Sequence, residues 1–97
     1  MPKSKWEKVG EVAVDAGIIM LGDPCYHIEK AGQYIPDDWS TFCDAIGNSD
    51  VHNFEFSGGH TGAGVVVSSG FGDGIYDVFI RRDTDTGRVA EVKVVFI

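Results

Sequence analysis

The last twenty-three residues, IYDVFIRR-DTDTG-RVAEVKVVFI, constrain the fold more than any other stretch. Tyr76, Val78 and Ile80 alternate with Ile75, Asp77 and Phe79, and Ala90, Val92, Val94 and Phe96 alternate with Glu91 and Lys93. A period of two is that of a strand whose two faces meet different surroundings. Between the two runs, Asp83 to Gly87 has the length and composition of a tight turn, with Gly87 free to take the left-handed backbone of a bulged hairpin. The pattern predicts an antiparallel pair, Ile75 to Arg82 with Val89 to Ile97. Ala90, Val92, Val94 and Phe96 are expected to face a core, and Glu91 and Lys93 to face water.

Upstream, Lys8 to Asp15 also alternates, with Val12 and Val14 on one side. Asp15-Ala16-Gly17 separates it from the apolar run Ile18 to Leu21, and the two read as a second hairpin. Pro24 ends ladder pairing there. Residues 27–36 have weak periodicity and read as irregular. Pro36-Asp37-Asp38 predicts a helix start, with carboxylates in the first turn. Trp39, Phe42, Cys43 and Ile46 fall on one apolar stripe, and Gly47-Asn48 ends it. Val51 to Phe56 reads as a strand, Ser57 to Gly64 as a loop, Val65 to Ser68 as a short strand, and Ser69 to Gly74 as a second loop. The order β-β-α-β-β-β-β predicts an α+β, mainly β chain: an antiparallel sheet or partly rolled barrel with one short helix packed on it. Ninety-seven residues are expected to make a single domain, with residues 1–7 a loose N-terminal segment.

The net charge of −7 is uneven. Between Val9 and Ile80 there is one cation, Lys30, against eleven carboxylates. So acidic a middle repels phosphate and argues against direct nucleic-acid binding, while suiting a basic or cationic partner. No run approaches the roughly 18 apolar residues of a membrane span, so no membrane association is expected. The lysines at positions 3, 5 and 8 are not followed by an apolar signal-peptide core, and two cysteines without such a signal suit free thiols in a reducing compartment. The expectation is a cytoplasmic protein.

Four stretches could carry chemistry. The glycine-rich SGGHTGAG opens into Val65-Val66-Val67, a strand and not a helix, so it lacks the context of a phosphate loop. Cys25, His27 and Cys43 with His52 or His60 lack the paired spacing of a structural zinc site, and Cys43 lies on the helix stripe; no metal and no cofactor are expected. Cys25, after a strand and at a turn, could be a nucleophile if a histidine activated it, but no oxyanion-hole segment accompanies it, and no catalytic residue is assigned. The most specific pairing is GDPCY with SSGFGDGIY. Each places Gly-Asp in a tight loop with a tyrosine within three residues of the Asp. If both loops left the same end of a sheet, Asp23 and Asp73 would converge, with Tyr26, Tyr76 and Ser69 beside them. That set could bind a ligand. Turn chemistry explains each loop separately as well, since Asp in a Gly-flanked turn accepts backbone N–H bonds.

Those same motifs carry a resemblance. VDAGIIMLGDPCYHI early and VVVSSGFGDGIYDVFIRRDTDTGRVAEVKVVFI late resemble a family of small bacterial and bacteriophage proteins that carries no assigned activity. The likeness covers about half the chain and rests on Asp15, Gly17, Gly22, Asp23, Pro24, Cys25, Tyr26, Gly70, Gly72, Asp73, Gly74 and Tyr76. Trp39 and Cys43 agree with the family's helix. Ala16 stands where the family commonly has serine, and Asp77 where it commonly has proline. The resemblance implies a small accessory or host-interaction protein.

Three functions follow as expectations. The first is a non-enzymatic module that binds a protein or small-molecule ligand through the GDPCY and GFGDG loops. The second is a small hydrolase using Asp23 and Asp73 or Cys25. The third is a self-assembling protein, a homo-oligomer in which the last strand lies on an edge and pairs with a copy of itself.

Overall fold

In the computed structural model, residues 2–97 are described. The elements run β1 (Glu7–Val14), β2 (Ile18–Leu21), α1 (Pro24–His27), α2 (Trp39–Ile46), β3 (Val51–Glu55), β4 (Thr61–Ser68), β5 (Gly74–Arg82) and β6 (Val89–Val95), with a 3-10 turn at Ser57–Gly59. The strands form two open, antiparallel, three-stranded sheets, β1-β5-β6 and β2-β4-β3. The chain is therefore mainly β with a short helix, as the alternation predicts, and neither sheet closes into a barrel. It divides into two compact units, Ile18–Ser68 and the flanking segments up to Gly17 and from Ser69 to Ile97.

One predicted pairing is absent. β1 and β2 do not form a hairpin. Val12 of β1 lies opposite Tyr76 of β5, and Met20 of β2 lies opposite Val66 of β4. Like patterns have found each other. β1 alternates and pairs with alternating β5. Ile18 to Leu21 is apolar at every position and pairs with Val65 to Ser68, apolar at all but the last.

In the unit Ile18–Ser68, α2 supplies Phe42 and Ile46 to a core shared with Ile35, Phe54, Ala63 and Val66. Its start is set by Asp38, one residue before the helix, whose Oδ2 accepts from Thr41 N at 2.9 Å and Thr41 Oγ1 at 2.8 Å. These bonds, the backbone one first, hold the Asp38 carboxyl below the usual carboxylate range. A depressed folded-state pKa contributes stability that is present above the unfolded value and lost as pH falls through the folded one. Acid should therefore loosen α2 below the ordinary carboxylate range, and Asp38→Asn should flatten that acid limb of a helix-circular-dichroism titration. An unchanged limb would show that the cap does not titrate with folding.

The stretch expected as a loop at Ser57 to Gly64 is half strand. Only residues 57–60 turn, and Thr61 already pairs with Glu55 in β4. Gly58 and Gly59 make the turn at φ +76° and +83°, whereas Gly64 is needed for close approach: a Cβ there would lie 3.1 Å from Ile35 Cδ1.

In the other unit the β5–β6 hairpin forms as predicted, with Gly87 at φ +74° in the turn. Asp83 is buried and locks that turn, accepting from Thr86 Oγ1 at 2.7 Å and from Asp85 N at 3.3 Å. The segment before β1 is hydrogen-bonded to the same region: Ser4 N donates to the Arg82 carbonyl at 2.8 Å and Thr84 N to that of Pro2 at 3.1 Å. The register sets Val12, Tyr76, Val78, Ile80, Val92 and Val94 on one face. On the opposite face Lys8 pairs with Asp77 at 3.1 Å, Lys3 with Glu91, and Trp6 lies under Lys93 and Arg81. The β6 side of the apolar face is more open than its pattern predicts: Ala90 is exposed and Val92 is 58% exposed, while Val94 and Phe96 are partly buried.

Candidate functional site

The GDPCY segment is a helix start. Asp23 takes an extended backbone and its Oδ1 accepts from Cys25 N at 2.9 Å, capping α1, while Pro24 presets the first helical φ. Tyr26 points into an aromatic trio, its ring 5.0 Å from Phe56 and 5.8 Å from Tyr34, with Lys30 above it at 5.6 Å. Cys25 Sγ donates to Glu29 Oε2 at 3.4 Å. That bond to a carboxylate, with burial adding to it, pushes the thiol pKa up, the opposite of what a thiolate nucleophile requires.

The GFGDG loop is built around one carbonyl. Ser69, fully buried, donates from its backbone N to the Gly17 carbonyl at 2.9 Å, and its Oγ lies 2.6 Å from the Gly72 carbonyl and 3.2 Å from that of Gly17. Tyr76 Oη donates to the same Gly72 carbonyl at 2.7 Å. Asp73 is exposed. Of the residues singled out in the sequence, Ser69 and Tyr76 thus meet at Gly72, Asp23 caps its own helical turn, and Tyr26 packs on Tyr34 and Phe56. Asp23 and Tyr26 belong to one unit and Ser69, Asp73 and Tyr76 to the other. Ser69→Ala should cost about 1–2 kcal/mol in chemical denaturation, since Gly17 and Gly72 each keep a second donor. A loss-free Ser69→Ala would show that the hydroxyl is not a fold lock.

Another arrangement, within Ile18–Ser68, was not singled out in the sequence. A cleft of about 300 Å³ is lined by His27, Pro36, Asp37, Asp38, Trp39 and Phe42. GDPCY leads into it, because the helical turn that Asp23 caps ends at His27. Trp39 is 60% exposed and stacks on the buried Phe42, ring centroids 5.6 Å apart and planes at 14°. Phe42 in turn packs against Phe54 at 5.3 Å. The indole therefore rests on the core without entering it. Asp37 and Asp38 stand beside it, and both cap bonds of Asp38 land on Oδ2. A second depression, of about 370 Å³ and lined by Gly32, Gln33, Tyr34 and Thr41, shares Pro36, Asp37 and Asp38 with the cleft.

Charge is uneven between the units. Ile18–Ser68 carries seven carboxylates and the single cation Lys30, whereas the remaining residues nearly balance, eight carboxylates against seven cations. Aromatic face, two carboxylates and a negative surround are what a cation needs. Among the described residues no three His, Cys, Asp or Glu side chains gather as a metal-ion set, and no helix is long and apolar enough to cross a membrane. No family model, curated protein or solved structure gives a significant match to the chain.

Proposed function

We propose that the chain is a non-enzymatic binding module that takes a cationic side chain, arginine or lysine, of a partner protein into the cleft at the start of α2. The observation that carries this reading is a large aromatic held open: Trp39, mostly exposed yet fixed by stacking on Phe42, beside Asp37 and Asp38. A cation over an exposed indole contributes about 0.5–1 kcal/mol, and charge-assisted hydrogen bonds to carboxylates add to it. Arginine suits the geometry better than lysine, because a planar guanidinium stacks on the ring while its edge donates to a carboxylate. The raised thiol of Cys25, bonded to Glu29, weighs against the form of the hydrolase alternative that uses Cys25. The bacterial and bacteriophage resemblance supports an accessory or host-interaction role in the cytoplasm.

The test is a fluorescence titration on a Trp6→Phe background, which leaves Trp39 as the reporter. N-acetylarginine amide should change the emission, with affinity falling as salt rises from about 0.05 to about 0.5 M. Its neutral isostere, N-acetylcitrulline amide, should not. Equal responses to both, or none to either, would remove the cation reading.

A further inference from the structure

β6 is an outer strand of its sheet, and among the described residues no strand pairs along its other edge. Val89 and Val92 on it are 55% and 58% exposed. An open apolar edge is a template for another strand. We propose that this edge is where two copies of the chain associate, β6 against β6, antiparallel about a two-fold axis through Val92.

The register follows from symmetry and charge. Antiparallel edges related by a two-fold perpendicular to the sheet keep their faces aligned, so the axis must pass through a residue and not between two. Centred on Val92, the pairing sets Val92 against its mate, Ala90 against Val94, and Glu91 against Lys93 twice over. Centred on Glu91 or Lys93 it sets like charges face to face, which is destabilising, and centred on Ala90 or Val94 it leaves Glu91 and Lys93 without each other. β6 has one residue more than β5 at Ala90, opposite the step from Arg81 to Arg82, so the regular ladder is short. An edge lysine ordinarily deters pairing with foreign strands. Against its own copy, Lys93 instead meets Glu91, in exchange for its place over Trp6 and in competition with the Lys3–Glu91 pair. So short an edge buries less than the roughly 1,600 Å² of a standard interface, and the dimer is accordingly weak and concentration-dependent.

Sedimentation or light scattering of the full chain from about 5 µM to about 1 mM should show a monomer–dimer equilibrium. Lys93→Glu or Glu91→Lys alone should raise the dissociation constant about tenfold by opposing like charges. The double exchange should restore it, and an equimolar mixture of the two single variants should form a heterodimer. Val92→Asp, at an exposed position and outside both charge pairs, should give a monomer with native circular dichroism, which separates lost association from lost folding. A strict monomer throughout the range, folded single variants that dimerise like the parent, or a dimeric Val92→Asp would each overturn the proposal.

Discussion

Phe42→Ala should lower the stability of the unit Ile18–Ser68 by about 3–5 kcal/mol, enough to unfold much of it at ambient temperature. The ring is 7% exposed and sits between Trp39 and Phe54, so its removal deletes buried area, leaves a cavity and takes the support from under the indole. A unit of this size buries too little surface to absorb such a loss. Urea denaturation followed by near-ultraviolet circular dichroism measures it. Phe42→Leu, which keeps most of the volume, should cost about 1–1.5 kcal/mol. A Phe42→Ala protein of parental stability would mean that α2 does not depend on the core it touches.

Trp39→Ala should do the reverse. At 60% exposure the indole contributes little to the core, and its loss should cost about 1 kcal/mol through the forfeited stack on Phe42. Binding of a cationic side chain, however, should weaken about two- to fivefold. Asp37→Asn should keep the fold and weaken binding by about tenfold, since an amide cannot neutralise the bound cation. Calorimetric titration with an arginine-containing peptide, beside thermal melts, separates the two effects. Variants that bind as the parent does would detach the cleft from function. Variants that unfold would show that the residues are structural.

These two substitutions also mark how far the sequence could be read. The β5–β6 hairpin was legible because alternation, turn composition and Gly87 all agree locally. Helix α2 was legible from the stripe through Phe42 and Ile46 and from its acidic start. The stripe also included Trp39, but a stripe says which residues share a face, not how far a core extends beneath it. Trp39 is the first helical residue, and only Phe42 and Ile46 reach the buried cluster. That is why the cleft was not legible. The absent β1–β2 hairpin has a different cause: sequence adjacency suggested a pair, but each strand's facial pattern matched a distant partner better. The glycines at 62 and 64 resemble a loop in sequence, because a glycine that admits a neighbouring side chain into a strand looks the same there as one that frees a turn.

In GDPCY, Asp23 was legible as a turn lock and its bond to Cys25 N accounts for it, whereas the Tyr26 ring packs on Tyr34 and Phe56, which no local pattern encodes. What the motif leads to, His27 at the wall of the cleft, depends on Pro36 to Phe42 folding back beside it, which no local pattern encodes.

The most direct measurement is a nitrogen–proton correlation spectrum of the labelled protein titrated with N-acetylarginine amide. Saturable shifts confined to His27, Asp37, Asp38, Phe42 and the Trp39 indole N–H, and absent with N-acetylcitrulline amide, are the predicted result. Shifts that instead gather on the loops of Asp23 and Asp73, or that fail to saturate anywhere, would contradict it.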